Sequence, residues 1–312
     1  MKLSIVVVTW NSAADIDACL DSIHFGSEFE VIVVDNASTD GTREKLNQVH
    51  HLRLVANSSN CGYARANNQG IKLAMGEYVL LLNPDTRIEL GALDTLSCYL
   101  DEHTAVGAVA PRLVSPDGTT QFSIRSFPTS ASLLWELVGL AHLFPKSRLF
   151  GRWKMKYFDY SRTAEVEQPM ASCLMLRRTA LDSLVGRGQG LKESRNQVVH
   201  SNPRILESSN PVFDEHFPMF YNDVDLSKRM ADAGWKTAYV ADARVVHRHG
   251  ASTRQVRPKM IRESHRSAFR YLRKHDRSGI FWLKAIVLLP LFEITSLLRV
   301  IAYRLRRTSE AA

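Results

Sequence analysis

The chain has 312 residues, 45% of them hydrophobic and 23% charged, which is long enough for a sizeable core and ordinary for a folded soluble protein. The net charge of +8 is uneven, because residues 244–277 hold eleven Lys or Arg against one Glu and one Asp. The four cysteines have neither zinc-site nor disulfide-framework spacing, so neither kind of site is indicated, and a reducing cytosol fits.

The first third of the chain alternates short apolar runs with helical patterns. Predicted strands cover 3–10, 29–36, 52–57, 77–83 and 105–111, and predicted helices cover 13–23, 38–49, 62–75 and 91–102. The N-terminal run stops at Asn11 without a small-residue cleavage pattern, so it is interpreted as a strand and not as a signal peptide. Alternating strands and helices predict an α/β fold, with a mostly parallel sheet flanked by helices and right-handed crossovers.

The pattern becomes less regular after Pro111. The sequence predicts strands at 120–127 and 168–178, one or two strands over 236–247, and helices at 130–144, 179–185, 223–234 and 258–275. Residues 186–211 are polar and aperiodic, and we interpret them as an inserted loop. We expect one domain over 1–253 that contains this loop, followed by basic and apolar C-terminal helices over 254–312.

Polar side chains follow three of the early strands. These residues are Thr9, Asn11, Asp35, Asn36, Asn83 and Asp85. Open α/β sheets bind ligands at the carboxyl ends of their strands, so these side chains should meet at one edge. Helix capping explains Ser38 and Asp40, but it does not explain two carboxylates at strand ends. Asp35 and Asp85 suit a nucleoside that needs hydrogen bonds and a metal that holds a diphosphate.

A dinucleotide-binding dehydrogenase is the rival enzyme class. It should show G-x-G-x-x-G between the first strand and the first helix. That connection, residues 9–15, contains no glycine, and the glycine-rich segment 186–190 does not lie between a convincing strand and helix. The sequence therefore argues against a dehydrogenase.

Five motifs, taken in order, resemble the family 2 glycosyltransferases with a GT-A fold, especially bacterial rhamnosyltransferase-like enzymes of O-antigen and cell-wall polysaccharide synthesis. They are VVVTWN, VIVVDNASTDGT, NCGYARANNQGI, LLLNPD and FDEHFPMFYNDVDLSKRMADAGW, and the resemblance covers about residues 3–253. The resemblance implies an inverting transferase with a nucleotide-sugar donor and a divalent metal, Mn²⁺ or Mg²⁺. It implies dTDP-rhamnose as the donor, with a UDP-sugar as the alternative. The acceptor would be a glycan or a polyprenyl-diphosphate-linked sugar.

The resemblance also implies which residues contact the donor and the metal. The implied donor-contacting residues are Thr9, Asn11, Asp35, Asn36, Arg65 and Asn83. Asn83 stands where the family often has the first acid of a D-x-D motif. Asp85 takes the place of the second acid and resembles the metal-binding residue. Pro84 stiffens the end of the strand that presents Asp85. His247 falls where related enzymes place a metal-coordinating histidine, and it is preferred to His249.

The segment 217–226 should supply the base. Asp223 matches the second acid of a Glu-Asp pair in the family, and it is the implied base for the acceptor hydroxyl, although an N-terminal helix charge is the structural alternative. Asn222 replaces the first acid, which removes a like charge. Asp225 opens the helix and is interpreted as a cap or, alternatively, as a substrate-binding group that orients the acceptor.

The tail combines a basic helix with an apolar run. Arg262, Arg266, Arg270 and Arg273 lie near one helix face, but no nucleic-acid-binding module is recognised, so no nucleic-acid partner is expected. The apolar run 285–298 is shorter than the ~20 residues of a spanning helix. We expect a cytoplasmic protein peripheral to the inner face of the membrane, drawn to anionic lipid.

Several alternatives stay open from the sequence alone. The alternative for the C-terminal helix is that it packs on the domain or on a partner in an oligomer. A degenerate transferase would bind the donor without turnover. A non-catalytic surface protein would bind anionic ligands without regard to nucleotide sugars.

Overall fold

A computed structural model describes residues 1–26, 28–186, 211–248 and 257–311 of the chain. In chain order the elements are β1 (Leu3–Thr9), α1 (Ile16–Asp21), β2 (Phe29–Asp35), α2 (Thr42–Leu46), β3 (Leu52–Ala56), α3 (Tyr63–Leu73), β4 (Tyr78–Leu82), β5 (Thr86–Ile88), α4 (Ala92–Glu102), β6 (Val106–Val114), β7 (Ile124–Arg125), α5 (Ser130–Leu137), α6 (Leu140–Leu143), β8 (Ala164–Val166), β9 (Gln168–Pro169), β10 (Cys173–Arg177), α7 (Arg178–Gly186), α8 (Asn222–Asp232), β11 (Lys236–His247), α9 (Arg257–His275) and α10 (Phe281–Ala311). The predicted loop at 186–211 lies almost wholly outside the described residues, as do His249 and the predicted boundary at 253.

A nine-stranded sheet forms the centre of the fold. Its strand order is β3-β2-β1-β4-β10-β6-β11-β5, and β8 pairs with β11. The first four strands are parallel, as are β6 and β11, whereas β10, β5 and β8 pair antiparallel with their neighbours. The predicted α/β class, with a mostly parallel sheet flanked by helices, is confirmed.

Helices cover both faces of the sheet, which explains why β1 and β4 are continuous apolar runs in which every residue is buried. One face packs against α1 and α4, and the other packs against α3, α7 and α8. The approach of α3 to β1 needs Gly70, since a Cβ there would lie 2.4 Å from Cγ1 of Val6. The two layers hold the carboxyl ends of β1, β2 and β4 in fixed relative positions.

Two predicted elements differ in the structure. Only β7 forms within the predicted strand 120–127, where it pairs with β9 in a small two-stranded ribbon apart from the main sheet. The predicted helix 130–144 is divided into α5 and α6, because Gly139 adopts φ +85° and starts a new helix. Residues 236–247 form one strand, β11, with an irregular register between Val240 and Arg244.

The C-terminal helices pack on the segment that was expected to supply the base. Phe217, Tyr221 and Val224 share a buried cluster with residues of α5, α9 and α10. The helix α10 continues well beyond the predicted apolar run, and Pro290 lies inside it. The expectation that this segment is too short to span a membrane is therefore corrected: its part Phe281–Leu305 is long and apolar enough to cross one, by length and composition only.

Candidate active site

Three non-glycine residues beside the predicted site adopt left-handed backbone conformations. Asn11, Ala37 and Tyr221 have φ values of 50°, 63° and 64°. Asn11 follows β1, Ala37 follows β2, and Tyr221 is the N-cap of α8. Such conformations are costly for L-residues other than glycine and cluster at functional sites. These three residues change the direction of the backbone after β1, after β2 and at the start of α8.

The ends of β1 and β2 bring Thr9 and Asp35 side by side. Both side chains are buried, and Oγ1 of Thr9 donates a hydrogen bond to Oδ1 of Asp35 over 3.1 Å. Oδ2 of Asp35 accepts from the backbone N–H of Ser38 (3.2 Å) and pairs with the guanidinium of Arg43 (3.3 Å). The hydroxyl of Ser38 accepts from the backbone N–H of Asn11 at 2.9 Å. The carboxylate of Asp35 is therefore fixed from three sides.

Asn36 connects the end of β2 to the loop before α3. Its Oδ1 accepts from the backbone N–H of Cys61 at 3.0 Å and from Nδ2 of Asn57 at 3.2 Å. Its Nδ2 donates to Oδ1 of Asn60 at 3.0 Å. Both ends of this buried amide are used within the protein, so Asn36 fixes the shape of the loop that leads into α3.

The segment Asn83–Thr86 forms a tight turn between β4 and β5. The backbone N–H and the hydroxyl of Thr86 both donate to the carbonyl oxygen of Asn83, at 3.2 and 2.6 Å. Pro84 occupies the second position of this turn, where its fixed φ is favoured. Oδ1 of Asn83 accepts from the hydroxyl of Tyr63 at 3.1 Å. The turn presents Asp85 at the edge of the sheet.

Asp85 faces His247 across that edge. Oδ1 of Asp85 lies 3.5 Å from Nε2 of His247, and the His247 side chain is almost fully buried. Gln121 determines the tautomer of the His247 ring. Its Nε2 donates to the backbone carbonyl of His247 over 2.7 Å, which turns its Oε1 towards the ring. Oε1 therefore accepts from Nδ1 over 2.9 Å, so Nδ1 carries the proton. In the neutral ring, Nε2 then directs a lone pair towards a carboxylate oxygen, and a cation between the two atoms would relieve the repulsion.

This donor set fits a divalent metal that also binds a ligand. Among the described residues, no group of three or more His, Cys, Asp or Glu side chains could hold a metal by itself. One carboxylate and one imidazole leave most coordination positions to diphosphate oxygens and water, which suits Mn²⁺ or Mg²⁺ better than a zinc cage. The hydrogen bond from Nδ1 to Gln121 is the kind of support that orients ligating histidines.

Asp223 lies in the first turn of α8, beside the ribbon of β7 and β9. Its Oδ1 accepts from the backbone N–H of Val224 at 2.9 Å, and its Oδ2 accepts from Nε2 of Gln168 at 3.3 Å. Burial raises the pKa of Asp223 above the ordinary aspartate value, although the positive charge of Arg125 opposes that effect. A carboxylate with a raised pKa is a stronger proton acceptor, as a general base requires.

Tyr63 and Ala171 connect the Asn83 turn to Asp223. The Tyr63 hydroxyl that meets Asn83 also lies 3.5 Å from the carbonyl oxygen of Ala171. The backbone N–H of Ala171 hydrogen-bonds the Asp223 carboxylate and lowers its pKa slightly against the effect of burial. Tyr63 and Ala171 therefore link the turn that carries Asp85 to the carboxylate of Asp223.

Asp225, two residues further along α8, is turned away from that site. It is fully buried, and its carboxylate meets Nε of Arg229 (2.8 Å), Nζ of Lys274 (2.7 Å) and Nε2 of His275 (2.7 Å). Burial opposes its ionisation, but the hydrogen bond from His275 and the charges of Arg229 and Lys274 hold its pKa below the usual range. Its described side-chain partners place Asp225 at the joint between α8 and α9, and the N-cap of α8 is Tyr221.

Arg65 lies on α3 with an exposed side chain. Its Nε is 3.9 Å from Oε2 of Glu215, and 63% of its side chain is accessible. A surface pair of this kind is weak, so the guanidinium is able to change partner. Contact between Arg65 and a nucleotide stays a prediction.

The chain is similar to a known family and to proteins of known activity. The family model described as Glycosyl transferase family 2 matches residues 4–184. An N-acetylglucosaminyl-diphospho-decaprenol L-rhamnosyltransferase of Mycobacterium tuberculosis is 27% identical over 299 residues, covering 90% of this chain and 86% of that protein.

Two solved structures share the fold. The structure of S. aureus TarS 1–349 matches with a TM-score of 0.50 at 19% identity, covering 97% of this chain and 83% of that chain. GalNAc-T7, crystallised with UDP, GalNAc and Mn²⁺, matches with a TM-score of 0.53 at 13% identity, covering 79% of this chain and 44% of that chain. Both likenesses support the GT-A arrangement of the sheet.

Proposed function

The chain belongs to glycosyl transferase family 2, and from that premise we propose that it is a metal-dependent inverting enzyme of cell-surface glycan synthesis. It would move a sugar from a nucleotide-sugar donor to a lipid-linked or polysaccharide acceptor. The observation that supports the proposal is the facing Asp85–His247 pair, linked through Tyr63 and Ala171 to the half-buried carboxylate of Asp223.

The donor side of the site is the edge formed by β1, β2 and β4. Thr9, Asn11 and Asp35 would hold the nucleoside, and Asn83 would lie near the diphosphate, with Arg65 at the rim. Relatedness to an L-rhamnosyltransferase supports dTDP-rhamnose as the donor, and a UDP-sugar is the alternative.

Asp85 and His247 would hold the metal together with the donor diphosphate. When bound, a divalent cation there supplies Lewis-acid stabilisation for the departing nucleoside diphosphate. Gln121 keeps the His247 ring in the orientation that this role requires. Tyr63 keeps the Asn83 turn in place through its hydrogen bond.

Asp223 would act as the general base. Its carboxylate takes the proton of the acceptor hydroxyl while that oxygen attacks the anomeric carbon from the side opposite the diphosphate. The new bond forms between the acceptor oxygen and the anomeric carbon, the bond to the diphosphate oxygen breaks, and the configuration inverts. The raised pKa of Asp223 favours this proton transfer.

The C-terminal helices would bring the enzyme to its acceptor as a membrane-associated extension of a catalytic domain over 1–253. The face of α10 that points away from the protein carries large exposed apolar side chains, among them Trp282, Leu283, Ile286, Val287, Leu297 and Leu298. Arginines of α9 lie close by in sequence, and anionic lipid attracts such charges. A cytoplasmic enzyme peripheral to the inner membrane face would meet a polyprenyl-diphosphate-linked acceptor there.

Calorimetry of donor binding tests the proposal. Nucleotide sugars and free nucleoside diphosphates are titrated with Mn²⁺, with Mg²⁺ or with a chelator. We expect one nucleotide sugar to bind in a metal-dependent way, and the variant Asp85→Ala to lose most of the metal-dependent part. The control His216→Ala changes an exposed histidine outside the pair and should bind like the wild type. If no nucleotide binds under any condition, the transferase proposal fails.

A further inference from the structure

The ribbon of β7 and β9 lies directly beside the proposed base. Arg125 of β7 pairs with Gln168 of β9, and Gln168 reaches Asp223. The backbone N–H of Ser126 donates to the carbonyl of Trp153 at 3.0 Å, which brings the Trp153 segment against the same ribbon. These residues belong to different parts of the chain, and they form one wall next to Asp223.

Three buried polar side-chain atoms in the described part of the chain have no direct geometric hydrogen-bond partner; two of them lie in this wall, and the third lies two residues before Arg125. They are Oγ of Ser123, Nε1 of Trp153 and Oε1 of Gln168. Leaving a buried polar group unsatisfied costs about 1–3 kcal/mol, so folded proteins contain few of them. The two in the wall, on Trp153 and Gln168, lie beside a proposed catalytic carboxylate, which indicates that a polar ligand completes them.

The orientation of Gln168 shows which group it offers. Its Nε2 donates to the carbonyl of Pro169 at 2.8 Å and to Oδ2 of Asp223 at 3.3 Å. Both amide hydrogens are therefore used, and Oε1 is the atom that lacks a partner. The side chain is only 1% exposed, so this acceptor is built into the wall and is not a loose surface group.

Trp153 and Arg125 add two kinds of donor to that acceptor. The Trp153 ring stacks on Tyr221 with centroids 6.0 Å apart, which fixes its Nε1–H. The Arg125 guanidinium lies 5.5 Å from the centre of the same ring and 3.8 Å from Sδ of Met170. Neither of these two contacts involves a negative charge, and the carboxylate that the charge of Arg125 reaches is that of Asp223. The wall therefore offers one acceptor, one neutral donor and one cation.

We propose that Gln168, Trp153 and Arg125 form the subsite for a sugar that is attached to a phosphate, and that this sugar is the acceptor. A hydroxyl or amide N–H of the sugar donates to Oε1 of Gln168, a sugar oxygen accepts from Nε1 of Trp153, and the phosphate meets Arg125. Gln168 thereby positions both the acceptor and the Asp223 carboxylate. This inference rests on the proposed function and deepens it by naming the acceptor side of the site.

Single substitutions in the full-length chain test the subsite. The probe is N-acetylglucosaminyl diphosphate carrying a short polyprenyl chain, the class of acceptor named for the mycobacterial relative. Trp153→Phe keeps an aromatic ring and removes the N–H, and we expect it to weaken probe binding about threefold to tenfold. Gln168→Leu keeps the approximate size, and it should weaken probe binding further and alter the pH profile of kcat, since Asp223 loses a donor. Neither variant should change the affinity for the nucleotide sugar.

Arg125 is tested by comparing two probes. Arg125→Gln should weaken binding of the diphosphate probe tenfold or more while changing binding of the methyl glycoside of N-acetylglucosamine less than twofold. Equal losses for both probes would overturn the assignment of the phosphate to Arg125.

Trp235→Phe is the matched control for the aromatic substitution. Its Nε1 donates to Oγ of Ser183 at 2.9 Å, so the variant loses a satisfied structural hydrogen bond outside the site. It should lower Tm and leave probe binding unchanged. If Trp153→Phe and Gln168→Leu also lower Tm without affecting probe binding, their role is structural and the inference is wrong.

Measuring nucleotide-sugar binding distinguishes a failure of the acceptor subsite from a failure of the proposed transferase function. A wild-type protein that binds a nucleotide sugar but not the acceptor probe would overturn the subsite and leave the transferase proposal standing. A wild-type protein that binds no nucleotide sugar would overturn both.

Discussion

At the scale of single residues, the carboxylate of Asp223 has the features of a general base whose orientation is fixed by hydrogen bonds. Its two oxygens accept from Val224 and Gln168, and burial raises its pKa. We expect Asp223→Asn to reduce transfer by about 10²- to 10⁴-fold, the usual contribution of a general base, with donor affinity unchanged. Turnover is measured with the acceptor probe, and donor binding is measured by calorimetry.

A residue of the same helix provides the control for that variant. Asp232 ends α8 in ion pairs with Lys228 and Arg277, and Asp232→Asn should keep turnover within about twofold of the wild type, because surface pairs contribute little. If Asp223→Asn keeps wild-type turnover, Asp223 is not the base. Turnover that is already absent from the wild type despite donor binding would indicate a degenerate transferase.

The pH dependence of kcat should report the same carboxylate. The base must be ionised, so activity falls as the pH drops through the pKa of Asp223 in the complex. Since burial raises that pKa, the acid limb of the profile should lie above the range of an ordinary aspartate. Rate measurements at saturating substrate, from neutral to acidic pH, provide the check. An acid limb below the ordinary aspartate range would contradict this role.

Residue positions were predictable where the sequence marks them locally. Thr9, Asp35 and Asp85 follow apolar strands, so their meeting at one edge could be expected from the strand pattern. Gln121 and Gln168 carried no such signal, because their partners His247 and Asp223 lie 126 and 55 positions away in the chain. Only the folded structure brings these amides to the residues that they orient.

At the scale of elements, the joint between α8 and α9 depends on one buried carboxylate. Asp225 is fully buried against Arg229, Lys274 and His275. Removing one partner of a buried ion pair typically costs about 3–5 kcal/mol, so Asp225→Asn should lower the free energy of unfolding by about that amount at pH 7. Urea unfolding measures it, and Asp232→Asn should cost less than about 1 kcal/mol.

The pH dependence of this stability has a definite sign. The pKa of Asp225 is lowered in the folded state, so its contribution is present above the unfolded-state pKa and is lost as the pH falls through the folded-state pKa. The difference between wild type and Asp225→Asn should therefore shrink in strong acid. A difference that stays constant with pH would show that the charge of Asp225 is not what stabilises the joint.

Element prediction succeeded where one periodicity dominated. The alternating apolar runs and helices up to 111 matched the sheet, because both faces of its strands are covered. Beyond that point, most of the predicted strand 120–127 lacks a partner strand, and Gly139 divides a helix whose apolar pattern is continuous. Both outcomes depend on tertiary pairing and on one backbone conformation, which periodicity does not encode.

At the scale of the whole molecule, α10 has two apolar stripes. Phe281, Ala285, Leu288, Phe292 and Val300 are buried against the protein along the length of the helix. The opposite stripe is exposed, with Leu283 at 66% and Ile286 at 70%. A helix that is packed along the domain in this way fits a position within the membrane interface better than a crossing.

Vesicle flotation tests that position. The wild type should float with vesicles that contain anionic lipid, and less so in high salt, because screening weakens the attraction of its arginines. The double variant Leu283→Glu and Ile286→Glu should remain unbound and keep its Tm, since both side chains are exposed. Leu90→Glu, at an 88% exposed position outside the C-terminal helices, is the control. Equal flotation of the double variant and the wild type would exclude α10 as the membrane contact.

The Asp225 joint also has a consequence for the order in which the protein becomes functional. A ribosome delivers the chain N-terminus first, and His275 follows Asp225 by 50 residues. Until α9 has emerged, the carboxylate of Asp225 lacks two of its three partners, and the apolar face around Tyr221 and Val224 lacks its cover. The helix that carries Asp223 therefore receives its full set of partners only after the strands β1, β2 and β4 have been synthesised. Under the proposed function, the residues that would hold the nucleoside are synthesised before the helix of the proposed base has all its partners.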